Sequence, residues 1–220
     1  WQGECSAMPD EVEHNRPVSH DPKPPQGRKG LVRVLQAPGH YWEYNDVRIN
    51  QLSLALLHLF RRPLPRVFEE AVLQPLGGGA GFRWEGYDDA WVRIDGTRMQ
   101  SVPGGSHWGG GVSISASDQA RIGQLLLDGG MHRGAQLVPR EWIARMQQPC
   151  AIAPFYGWLV WLNREGSIFD DATRDSFFMV GAGGHYVWMD PAHAAVVVVR
   201  WLDPARSPGF VGRGARVLRG

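Results

Sequence analysis

The chain has 220 residues, 43% of them apolar, and 23 basic side chains stand against 22 acidic ones for a formal net charge of +1. That length and apolar content suffice for a sizeable core in one or two domains, and near-neutral charge without a run of like charges excludes a dedicated nucleic-acid or polyanion binder. The longest apolar run, Ala194–Val199, falls far short of the roughly 20 residues that span a bilayer, so no transmembrane helix is expected.

Residues 1–30 are rich in proline and polar groups and carry the only two lysines, Lys23 and Lys29, so they are expected to form a long surface segment. There is no initiator methionine and no charged-then-apolar leader, so the chain is expected to start inside a longer protein or after processing, which leaves the compartment open. From Asp46 the apolar positions Val47, Ile49, Leu52, Leu54, Leu56, Leu57, Leu59 and Phe60 predict a buried helix ended by Pro63. Pro65 opens a second helix through Leu73, stopped by Pro75 and the glycines 77–79. Residues 80–105 read as short aromatic strands and turns.

Ser115 stands three residues before Asp118, the spacing of a capping box, and Ala120, Ile122, Leu125, Leu126 and Leu127 follow before Gly129 and Gly130 close that helix. Pro139 belongs to the first turn of another, with Trp142, Ile143 and Met146 placed on one face. After Pro149 the runs FYGWLVWL, SFFMV, HYVWM and AAVVVVRWL alternate with the turn clusters NREG and DPAH, which predicts three or four antiparallel strands. PGFVGRGARVLRG then reads as a short helix across that sheet. The organisation expected is a surface segment 1–30, a mainly helical region 31–150 and a sheet-and-helix region 151–220, forming one functional unit of α+β class.

Three stretches in order carry a family likeness: Tyr44–Asn45–Asp46 with its helix, GGGVSISASDQARIGQLLLDGG, and GAGGHYVWMDP followed by a VVVV strand. Together they resemble the serine β-lactamase and penicillin-binding superfamily, in particular class C enzymes and family VIII esterase-like hydrolases, across residues 31–205. The resemblance implies a β-lactamase/transpeptidase-like fold, with an antiparallel sheet, flanking helices and an adjoining helical region. It also implies hydrolysis of a small ester or amide through an acyl-serine, without a cofactor. That family uses a Ser-x-x-Lys helix, a Tyr-x-Asn loop and a Lys-Thr-Gly-like strand. Here Tyr44 takes the tyrosine position and the AGG of residues 182–184 the third element. No serine has a lysine three positions later, so the resemblance places the nucleophile upstream of Trp1, on a missing amino-terminal segment of the same protein, and implies that this chain alone is inactive.

Acyl transfer by serine needs a base for the hydroxyl proton, a cation that keeps the base deprotonated, and donors for the oxyanion. A phenol with a free pKa of about 10 serves as that base only beside positive charge, so Tyr44 would lean on the family lysine and on Arg48. Asp46 replaces the usual asparagine; it can hold that lysine by a charge-assisted hydrogen bond, or serve as N-cap of a helix beginning at Val47, or both. By resemblance, the amide N–H of His185 is one of two oxyanion donors, and Gly183 and Gly184 let the substrate approach the strand closely. Trp42, Trp108 and Trp188 fall beside the three site segments and are candidates to wall an apolar pocket. Ala182 stands where β-lactamases carry a cation, which turns the expectation toward uncharged esters or amides.

Plainer readings accompany each assignment. Tyr44 can be an aromatic that anchors a loop, and the glycines can be a hairpin bend. The histidines show no paired ligand spacing, so no metal is expected, and GGGAGF lacks the Lys-Ser/Thr of a phosphate loop. The rival to the enzyme is a non-catalytic binding or scaffold protein of the same fold.

Overall fold

The computed structural model describes residues 37, 39–42, 44, 46–88, 90–104 and 111–219. The expected surface segment 1–30, Trp108 and the side chain of Asp46 lie outside that description. The chain divides into two compact units, one holding the described residues up to Ala71 with Gly81–Ile114, the other Val72–Ala80 with the described chain from Ser115 on.

In the first unit, α1 (Asp46–Phe60) ends where Arg61 turns to a left-handed backbone with φ of 53°, while the Arg61 N–H still donates to Leu57 O at 2.8 Å. Pro63 then caps α2 (Leu64–Phe68), which has proline in its first turn and runs on as a π-helical turn, Glu69–Leu73, whose last two residues belong to the second unit. Four short strands follow, β1 (Arg83–Glu85), β2 (Trp91–Ile94), β3 (Thr97–Gln100) and β4 (Gly111–Ser113), pairing antiparallel as β1 with β4 and β2 with β3. The two-residue turn between β2 and β3 is Asp95-Gly96, both at positive φ, as that hairpin type requires. Leu57, Leu64, Ile94 and Val102 form the buried centre, with Leu54, Trp84 and Met99 packed on it.

The second unit is layered. α3 (Ala116–Leu127) begins at Ser115, whose Oγ accepts the Asp118 N–H at 3.0 Å. The small hairpin β5 (Met131–His132) with β6 (Ala135–Gln136) leads to α4 (Arg140–Met146). Then come β7 (Trp161–Leu162), β8 (Phe177–Gly181), β9 (His185–Asp190), β10 (Ala195–Val199) and α5 (Ser207–Leu218). The four strands make one antiparallel sheet in the order β10-β9-β8-β7. Because side chains alternate along a strand, Phe177, Val187, Met189, Val196 and Val198 meet Leu126 and Ile143 of the two helices on one face. Phe178, Trp188, Val180 and Val197 meet Val211 and Ala215 of α5 on the other. Alternation thus sorts one set of strands into two dry interfaces.

Three local expectations are corrected. FYGWLVWL is not one strand: Leu159 takes φ of 61° and the Gly157 N–H donates to Val160 O at 2.9 Å, so a tight turn leaves only β7 in the sheet. Trp142 does not share the buried face of Ile143 and Met146; it is exposed and meets Trp158 edge to face at 5.2 Å. β10 stops at Val199, and Trp201, at φ of 60°, leaves the strand direction.

Candidate active site

The expected site residues divide between the units. In the first, Tyr44 lies two residues ahead of α1 with 51% of its surface exposed. The helix starts at Asp46 itself, one residue earlier than the Val47 start read from sequence, a difference within which helix ends are ordinarily defined. On the first turn Arg48 Nη1 donates to Gln51 Oε1 at 2.9 Å. One turn deeper, buried Asn50 accepts the Gly104 N–H at 3.0 Å, and Trp84 Nε1 donates to Pro103 O at 2.9 Å. These bonds fix the segment that leads into the stretch containing Trp108.

In the second unit, β8 and β9 are joined at Gly181 and His185, which pair across a three-residue loop of Ala182, Gly183 and Gly184. Gly183 and Gly184 both have positive φ, 86° and 78°. At Gly184 the requirement is double: its carbonyl accepts the Leu202 N–H at 3.1 Å, and a Cβ there would collide with the Leu202 carbonyl oxygen. The chain after β10 is thereby laid against the hairpin. That contact brings the Trp201 ring to 4.4 Å from the His185 ring, at an interplanar angle of 75°. Trp188 is 2% exposed and stacked with Phe178 under α5, its indole N–H satisfied by Ser176 Oγ at 2.9 Å, and it lines a narrow internal space with Leu202 and Phe210.

Sequence reading gave Asp118 only its cap. In the structure its buried carboxylate also accepts the Gly79 N–H at 3.2 Å and receives Arg121 Nη1 at 2.6 Å, and a Cβ at Gly78 would run into it. Burial works to raise its pKa, but the Gly79 amide, the Ser115 hydroxyl and the Arg121 guanidinium outweigh burial and hold it below its usual value. Within the triple glycine 77–79, Gly78 is the position this contact requires to be bare, since a Cβ there would meet the carboxylate. Trp201 was also missed. Its exposure and its contact with His185 depend on the Gly184–Leu202 bond, which no local pattern encodes.

The beta-lactamase family model matches residues 18–209, most of the chain. The chain belongs to the beta-lactamase family. It is 27% identical over 133 residues to the 6-aminohexanoate-dimer hydrolase of Paenarthrobacter ureafaciens, a match that covers 52% of this chain and 32% of that protein. Among solved structures it resembles a Bacillus anthracis protein assigned as a 6-aminohexanoate-dimer hydrolase, with a TM-score of 0.61 and 18% identity over 84% of this chain and 45% of the other. It also resembles EstCE1, a hydrolase with promiscuous acyltransferase activity, with a TM-score of 0.57 and 19% identity over 87% of this chain and 59% of the other. The beta-lactamase-like α+β fold is therefore shown, and the chain spans between about a third and three fifths of the length of these relatives.

Proposed function

We propose that the protein is a serine hydrolase that cleaves a small ester or amide through an acyl-serine, with its Ser-x-x-Lys segment supplied by polypeptide outside the 220 residues. The observation that carries this reading is the family match over residues 18–209, which spans both the Tyr44–Asp46 stretch and the Gly181–His185 hairpin. The name of the 27%-identical relative, a hydrolase of 6-aminohexanoate dimer, agrees with an amide substrate.

In this reading the serine hydroxyl attacks the carbonyl carbon and gives its proton to the Tyr44 phenolate, which the lysine ammonium keeps available. The amide N–H of His185 steadies the oxyanion. Tyr44 returns the proton to the departing alcohol or amine, and water then releases the acid by the same route in reverse. Asp46 holds the lysine in place, while Gly183 and Gly184 leave the hairpin bare enough for the substrate. Trp108 serves as an apolar wall. Ala182 at the head of the hairpin offers no cation to a substrate carboxylate, which supports an uncharged substrate rather than a penicillin.

Replacing Tyr44 by Phe in the full-length protein should lower p-nitrophenyl ester turnover by about 10²-fold or more, the usual contribution of a general base. Unchanged turnover rejects that role. A fluorophosphonate probe should label a serine outside these 220 residues, and label on any serine within them overturns the placement of the nucleophile.

A further inference from the structure

Trp201 combines three features. It is 78% exposed, its backbone sits at φ of 60° where a bulky side chain is strained, and its ring is nevertheless fixed edge to face against His185 at 4.4 Å. Glycine would occupy that backbone without strain and would expose no apolar surface. The fixing is built from both sides. Leu202 is tied to Gly184 O at 3.1 Å, with Tyr186, Phe178 and Phe210 beside it around a narrow internal space, while Trp201 faces outward along the hairpin. The ring edge also lies near the turn, 3.9 Å from where a Cβ of Gly183 would stand.

We infer that Trp201, set against His185, is an aromatic wall for the acyl group and selects substrates with an extended apolar acyl chain. The inference rests on the hydrolase reading above and adds to it the chemistry of the acyl group. An exposed ring face set against His185, next to the hairpin that would hold the oxyanion, gives methylene groups a surface on which to leave water. A carboxylate or amide in the same position would lose hydration to a face that offers it nothing in return.

The test is the ratio of kcat/KM for p-nitrophenyl hexanoate to that for p-nitrophenyl acetate in the full-length protein. The parent should favour hexanoate. Trp201→Gly should lower the ratio about tenfold, as when the burial of one to two methylenes is given up, whereas Trp201→Phe should keep most of it. His185→Ala, which frees the ring and leaves the backbone N–H in place, should lower the ratio by an intermediate amount, so a folding defect in one variant does not decide the matter. Ratios within twofold of the parent in both Trp201→Gly and His185→Ala, or a parent indifferent to chain length, overturn the wall while leaving the hydrolase intact. Absence of any turnover and of fluorophosphonate labelling overturns the hydrolase reading, and the wall with it.

Discussion

At the scale of single residues, Asn163 shows how much backbone one amide can organise. It is fully buried at the end of β7, and its Nδ2 donates to Phe169 O, Ala172 O and Thr173 O at 2.9 to 3.2 Å while its Oδ1 accepts the N–H groups of Ile168 and Phe169 at 3.1 and 2.8 Å. The loop between β7 and β8 thus closes around one side chain in place of a ladder. Removing it strands buried donors and acceptors together, and each such group costs roughly 1–3 kcal/mol, so Asn163→Ala should destabilise by about 3 kcal/mol in urea unfolding. Asn163→Asp has the same shape but points a carboxylate at three carbonyls, and should be at least as damaging at neutral pH. Loss of less than about 1 kcal/mol in both would mean that water replaces the amide and the loop holds itself. Nothing in the turn cluster NREG distinguishes this asparagine from an ordinary turn former.

At the scale of elements, α3 was legible because its information is local. Ser115 with Asp118 marks the start, Gly129 and Gly130 at φ of 64° and 82° mark the stop, and Leu126 and Leu127 between them pack on the sheet. What periodicity could not give is the second task of Asp118, a bond to Gly79 reaching 39 positions back along the chain. That bond predicts a pH signature. Because the folded-state pKa is depressed, the stability from ionised Asp118 is fully present above the unfolded carboxylate value of 3.8 and is lost as pH falls through the folded value. Asp118→Asn should therefore be less stable than the parent by about 1–3 kcal/mol at pH 7, since a buried, charge-assisted set of bonds is replaced by neutral ones. The gap should begin to narrow as the pH drops below 3.8. Urea midpoints for both proteins at pH 7 and down the acid limb measure it, and a gap that keeps its size throughout would show that shape, not charge, makes the contribution.

At the scale of the whole molecule, the class of fold was readable from a change of period along the chain. Dense helical spacing before Pro149 gives way to short aromatic and β-branched runs after it, and the sheet and α5 appear where that change predicts. The candidate stretches were readable only separately, because the bond that shapes each is long-range: Asn50 to Gly104 in the first unit, and Gly184 to Leu202 in the second. The layered unit carries its own expectation for dynamics. β9 is paired along both edges, by β8 and β10, and covered on both faces, by α3 and α4 through Val187 and Met189 and by α5 through Trp188. The β2–β3 hairpin has one partner per strand and exposes Trp91, Arg93 and Arg98. Amides open with free energies that follow such cover, and an isolated two-stranded ribbon is marginal by itself. Hydrogen exchange followed by mass spectrometry should accordingly find Val187–Met189 among the slowest amides in the protein and Trp91–Gln100 exchanging at least 10²-fold faster, a gap of roughly 2.7 kcal/mol in opening free energy. Equal rates for the two segments would mean that the sheet opens by sliding off its helices, and that neither dry interface holds β9 in place.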